Sequence, residues 1–83
     1  MKKDFIFNVM LKNILDVLPQ LGTSSITQEN SLKELGANSI DRAEILIQSM
    51  SELKLKIPLI EFAGAKNIGQ LVDVFSKYCV ELA

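Results

Sequence analysis

The chain contains no histidine and only one cysteine, Cys79, among its 83 residues. Without imidazole, the usual zinc sets and every histidine-based acid/base mechanism are excluded, and a lone thiol closes no internal disulfide. No apolar run reaches the roughly 18 residues of a membrane span. Lys2 and Lys3 lead into amphipathic sequence with Asn8, Lys12 and Asn13, not into the apolar centre of a signal peptide. A soluble, cytoplasmic protein with no membrane partner is expected. The formal net charge of −1 leaves no cationic surplus to displace phosphate counterions, so no nucleic-acid partner is expected either. Strand-like alternation, internal repeats and low-complexity tracts are also missing. What remains is 48% hydrophobic and 23% charged, a composition that folds. A chain this short buries only about 60 to 65% of its unfolded surface, which implies one thin-cored domain over residues 1–83 and little room for a deep catalytic cleft. A monomeric, non-catalytic protein that acts through partners is the expectation.

At 100° per residue, Ile6, Met10, Ile14, Val17, Leu18 and Leu21 gather on one side with Val9 at its edge, which predicts a helix over about 3–20. Pro19 and Gly22 are its stop signals. The segment 22–38 has turn chemistry in Gly22, Thr23, Ser24 and Ser25, and Ile26, Leu32 and Leu35 are expected to pin it to the core. A second helix is predicted from Asn38 or Ser39 to about Leu53, with Asn38 able to cap it, before Lys56, Ile57 and Pro58 break the pattern. The apolar piece over 59–63 predicts one or two helical turns ending at Gly64. Ile68, Leu71, Val72, Phe75, Cys79 and Leu82 recur at helical spacing behind Asn67, a candidate cap. The predicted fold is all-α, a small four-helix bundle of three main helices and a short one placed third.

The second helix carries more apolar surface than one core contact needs. Ile45, Leu46 and Leu53, with small Ser49 between them, make one face; Ile40, Ala43, Ile47 and Met50 make another. Asp41, Glu44, Gln48, Ser51 and Glu52 form the polar stripe. The apolar arc spans roughly 200°, against the 100° or so typical of a surface helix. A central helix with both faces in the core would account for this. The preferred reading is that the side bearing Ile40, Ala43, Ile47 and Met50, bordered by Asp41 and Glu44, docks other proteins.

Ser39 stands where a long loop meets that helix, beside unpaired N–H groups and the positive end of the helix dipole. A serine there is commonly a cap, but Asn38 is available for that task and leaves the Ser39 hydroxyl for another. The stretch LGANSID (35–41), followed by AEILIQSMSEL (43–53), KIP (56–58) and an amphipathic last helix, resembles the acyl carrier proteins, whose signature is Leu-Gly-(Ala/Gly)-Asp-Ser-Leu-Asp. The resemblance runs from the first helix to the last. It implies a four-helix bundle with a covalent 4′-phosphopantetheine on Ser39. A separate phosphopantetheinyl transferase, using coenzyme A and magnesium, would add that arm, and the acyl cargo would ride on it as a thioester. It also implies that Ile40 enters partner pockets while Asn38, Asp41 and Glu44 lie in the contact zone.

Departures from the family pattern narrow the reading. Asn38 replaces the usual Asp, and residues 59–65 are greasier than the usual acidic third helix. Over 36–53 three acids, Asp41, Glu44 and Glu52, stand against Arg42, a local charge of −2, so long-range steering is expected to be weak and docking more hydrophobic. The stretches GANSIDRAEI (36–45) and IPLIEFAGAKNIGQLVD (57–73) resemble the stand-alone donor carriers of polyketide β-branching cassettes. That likeness implies an acyltransferase and a decarboxylating ketosynthase as partners, malonyl and then acetyl as cargo, and delivery of acetyl to a hydroxymethylglutaryl-CoA-synthase-like enzyme. A general fatty-acid or peptidyl carrier is the alternative within the class, although peptidyl carriers favour Gly-Gly-(His/Asp)-Ser where this chain has Ala37 and Asn38. An unmodified helical adaptor is the alternative outside it. Cys79 is read as a small core residue, Lys54 and Lys56 as a solvated helix end, and Phe62 and Ile60 as packing residues with an acyl-cavity role as their alternative.

Overall fold

The structure, a computed structural model, describes residues 3–22 and 26–82, with side chains as far as Cys79. Three α-helices, α1 (Lys3–Val17), α2 (Ser39–Leu53) and α3 (Ile68–Leu82), pack together, and a single 3₁₀ turn at Leu59–Phe62 lies between the second and third. The all-α expectation holds, with the short third element reduced to one turn. The predicted turn residues 23–25 lie outside the described residues. No helix among the described residues is long and apolar enough to cross a membrane.

The first helix ends three residues before the boundary its apolar spacing predicts. Pro19 disfavours the α conformation at the residue before it, so Leu18 closes the helix with one last bond from its N–H to the Ile14 carbonyl at 2.7 Å. Leu18 nevertheless stays buried, and Ile6, Met10 and Ile14 are fully so, which preserves the predicted apolar side. Across from them sit Ile45 on α2 and Ile68, Val72 and Phe75 on α3, none more than 1% exposed. Phe75 meets Phe62 of the 3₁₀ turn with ring centroids 5.0 Å apart at 49°, within the range of tilted aromatic pairs. Burying an aromatic or branched side chain contributes about 1.5 to 3 kcal/mol, so these few residues dominate a thin core. Cys79 is buried among them, as expected of a small apolar residue.

Among the described residues two polar side chains, Asn13 and Ser49, are also buried. Asn13 on α1 donates through Nδ2 to Ser49 Oγ at 3.1 Å, and Ser49 donates in turn to the Ile45 carbonyl at 2.8 Å. The small serine lets α1 approach α2 closely, and the chain of bonds leaves neither group unpaired. At the surface, Lys12 reaches from α1 to Glu52 on α2 at 3.0 Å, and Lys3 reaches Asp73 on α3 at 2.8 Å. Both pairs are exposed and add little.

The connection from α1 to α2 is held by the predicted residues: Ile26 and Leu32 are buried and Leu35 packs partly against the core. Its backbone also has a structural task at a distance. The carbonyls of Gln28 and Asn30 accept the N–H groups of Gly69 and Ile68 at 2.8 and 2.9 Å, satisfying two donors at the start of α3 that have no partner within the helix. Asn67 accepts from the Gln70 N–H at 2.8 Å, which makes it the cap expected there. Gly69 suits this approach, since a Cβ there would lie 3.3 Å from the Gln28 oxygen, tighter than an ordinary contact.

Candidate functional site

The site is built by two consecutive turns that aim the chain at the start of α2. Ser31 and Glu34 bond reciprocally, Glu34 accepting from the Ser31 N–H and Ser31 Oγ from the Glu34 N–H, both at 3.0 Å. This small capping box winds residues 31–36 into a turn. Gly36 then takes φ +99°, a conformation that L side chains rarely adopt, and Ala37 tucks into the core with its N–H on the Leu32 carbonyl. The chain therefore emerges at Asn38 with its direction set.

Asn38 is the cap of α2. Its side-chain oxygen accepts the Asp41 N–H at 2.8 Å, and Asp41 Oδ2 accepts the Asn38 N–H at 3.3 Å. With that exchange complete, Ser39 has no capping task. It lies exposed at the first helical position, and its hydroxyl has no hydrogen-bond partner among the described residues. The oxygen is accessible and costs the fold nothing to modify. Negative charge placed there also meets the positive end of the helix dipole.

The two faces of α2 divide as anticipated, with two exceptions. Ile45, Leu46, Ser49 and Leu53 are buried, while Ile40 and Ile47 are 75% and 52% exposed, which for large aliphatic side chains leaves an apolar surface in water. Ala43 is half-buried in the wall of a cleft beside Ser39. Met50 is half-buried against the core, with its sulfur accepting the Ile57 N–H at 3.3 Å. Of the four residues assigned to the docking side, Ile40 and Ile47 face outward fully. Of the acids bordering it, Asp41 is engaged in the cap and Glu44 accepts from Gln48 at 3.3 Å.

The cleft beside Ser39 runs between α2 and the segment leading into α3 and has a volume of about 490 Å³. Leu32, Leu46, Phe62 and Leu71 supply its apolar lining. Phe62, expected to pack, does so on Phe75 and also borders this cleft. Ile60, expected to pack as well, does not: it is 78% exposed, because a 3₁₀ turn of four residues can direct only one of its large side chains inward. Leu59, 44% exposed, lies at the cleft edge. Lys33, Arg42 and Lys66 also line this cleft, and no sequence pattern signals them, since they come from three separate segments.

This arrangement matches known proteins over most of its length. The family model for the phosphopantetheine attachment site aligns with residues 10–75. The chain belongs to the acyl carrier family. The polyketide biosynthesis acyl-carrier-protein AcpK of Bacillus subtilis (strain 168) is 50% identical over 74 residues, covering 89% of this chain and 90% of that protein. The acyl carrier protein of Clostridium perfringens (strain 13 / Type A) is 29% identical over 69 residues, covering 82% and 91%. Among solved structures, a chain of the curacin biosynthetic pathway HMG synthase in complex with acetyl donor-ACP superposes with a TM-score of 0.83. It is 44% identical, over 90% of this chain and 96% of that one. As a family member this carrier uses phosphopantetheine, and the exposed start of α2 suits such a group: a hydroxyl without structural duties, donor-rich backbone behind it and an open cleft alongside.

Proposed function

We propose that this protein is a discrete acyl carrier of a polyketide pathway that bears its arm on Ser39 Oγ and donates acetyl to a hydroxymethylglutaryl-CoA-synthase-like enzyme. The observation that carries the reading is the likeness to the complex of HMG synthase with its acetyl donor carrier. A protein of 83 residues that covers 96% of the matched chain is aligned with the small partner in that complex, not with the synthase. The 50% identity to a polyketide carrier supports the same pathway class.

The chain's own residues divide the work. Asn38 and Asp41 hold the first turn of α2 in place, and Ser39 presents its oxygen to a phosphopantetheinyl transferase. Bound there, the group supplies a terminal thiol for acyl cargo, so bond-making belongs to partner enzymes and the protein itself is a non-catalytic carrier. Ile40 and Ile47 offer the apolar contact by which partners dock, with Ala43 and Met50 contributing from its buried margin and Glu44 from its polar edge. An acyltransferase supplies malonyl, a decarboxylating ketosynthase converts it to acetyl, and the synthase-like enzyme receives it. The carrier acts as a monomer in the cytoplasm, as one domain.

Intact mass after incubation with coenzyme A, magnesium and a transferase tests the attachment. A gain of one phosphopantetheine on the native chain and none on Ser39→Ala supports it; equal gain on both overturns the assignment to Ser39. Acetyl transfer from the loaded carrier to a synthase-like enzyme tests the subtype. Loading without transfer to that enzyme, but with transfer to a fatty-acid ketosynthase, would favour the general carrier.

A further inference from the structure

The cleft beside Ser39 is unbalanced in charge. Lys33, Arg42 and Lys66 line it, and no carboxylate does. Among the described residues none of the three cations forms an ion pair; the two that exist there, on Lys3 and Lys12, lie elsewhere. Three unpaired cations on one apolar cleft are out of proportion in a chain whose net charge is −1. Such a surface attracts an anion that also carries a carbon skeleton. A phosphodiester on Ser39 is already served by the start of α2, and phosphate alone leaves the lining of Leu32, Leu46, Phe62 and Leu71 unused. The volume of about 490 Å³ is of the size that takes small organic ligands.

We propose that this cleft recognises a carboxylated acyl cargo folded back from Ser39, its cations holding the terminal carboxylate and its apolar lining the chain behind it. This rests on the reading of Ser39 as the attachment point. Malonyl is the cargo class that fits. Decarboxylation, in which the carboxylate leaves as CO₂ and the carbon that bore it takes up one proton, produces a neutral acetyl group with nothing for the cations to grip. The cleft therefore sorts cargo by charge: the carboxylated form is held against the protein and the neutral form is released for delivery.

The test loads the full chain with malonyl-, acetyl- and acetoacetyl-phosphopantetheine from the corresponding coenzyme A thioesters; acetoacetyl matches malonyl in shape but is neutral. Intact mass reports loading at Ser39 separately from any behaviour of the cargo, so absent loading counts against the attachment reading alone. On loaded protein, backbone amide shifts at Lys33, Ala43, Leu46 and Lys66 are compared, together with hydroxylamine cleavage of each thioester relative to its free coenzyme A form. Malonyl is expected to shift these amides and to be cleaved about 1.5- to fivefold more slowly, the range for solvent-exposed charge pairs. Acetyl and acetoacetyl should show neither effect. Added salt and the double variant Arg42→Gln, Lys66→Gln should remove the protection, and Arg42→Lys should keep most of it. Lys66→Gln alone, at an exposed position, provides a variant whose folding is not at issue. Equal behaviour of malonyl and acetoacetyl would overturn the proposal by reducing the cleft to an apolar groove. So would amide shifts already complete with the uncharged cargoes, which would make the cations readers of the phosphodiester only.

Discussion

Asn38 and Asp41 cap each other: the side-chain oxygen of the first takes the backbone N–H of the second at 2.8 Å, and the carboxylate of the second returns the bond at 3.3 Å. Their exchange brackets Ser39 without using it. A residue between two capping partners is thereby held at a fixed place with its own hydroxyl idle, which is what a modification site requires.

The first prediction separates these roles. Asn38→Ala should destabilise the fold by about 1 kcal/mol through the lost cap, read by urea denaturation. Ser39→Ala should stay within about 0.5 kcal/mol of the parent while losing all phosphopantetheine incorporation by mass. A large loss of stability in the serine variant would mean that its hydroxyl has a structural task after all.

The buried pair Asn13 and Ser49 should behave as one unit. Ser49→Ala strands the Asn13 amide and should cost about 1 to 3 kcal/mol. The Asn13→Ala, Ser49→Ala double variant should lose less than the sum of the single variants, giving a coupling of about 0.5 kcal/mol or more in a double-mutant cycle. Strict additivity would show that a solvent molecule or a shifted helix replaces the bond.

Lys54 ends α2 with φ 57° and ψ 41°, the left-handed cap position, its N–H returning to the carbonyls of Met50 and Ser51. Glycine takes that conformation without the clash a Cβ causes. Lys54→Gly is therefore expected to raise stability, by about 0.5 to 1 kcal/mol, visible as a higher melting temperature. An unchanged or lower midpoint would indicate that the lysine stem contributes packing of its own.

On the outer face of α2, Ile47→Glu should leave stability nearly unchanged, because the side chain is 52% exposed, yet slow acyl transfer to the partner enzyme. Ile40→Ala, at a position 75% exposed, should do the same more mildly. Transfer kinetics against a synthase-like enzyme decide the matter, and wild-type rates in both variants would remove this face from the docking surface.

Local patterns make much of the molecule legible from its residues alone. The spacing of Ile68, Leu71, Val72 and Phe75 places α3 on its buried side, and Asn38 and Asn67 are both recognisable as caps because a cap depends on residues only three apart. The reciprocal pair Ser31 and Glu34 carries the same three-residue signal, hidden by its place within a loop. Features that depend on distant partners are not legible in this way. Met50 is half-buried against the core, where its sulfur accepts the N–H of Ile57, seven residues on. The cations of the cleft are likewise invisible in the sequence, since Lys33, Arg42 and Lys66 become neighbours only through packing.

The two bonds from the Gln28 and Asn30 carbonyls to the Gly69 and Ile68 amides make the interhelical connection part of the last helix's foundation. Shortening or cutting that segment would loosen the far end of the molecule. Proteolytic nicking within it would accordingly register as faster deuterium uptake at Ile68 and Gly69, far downstream in the chain.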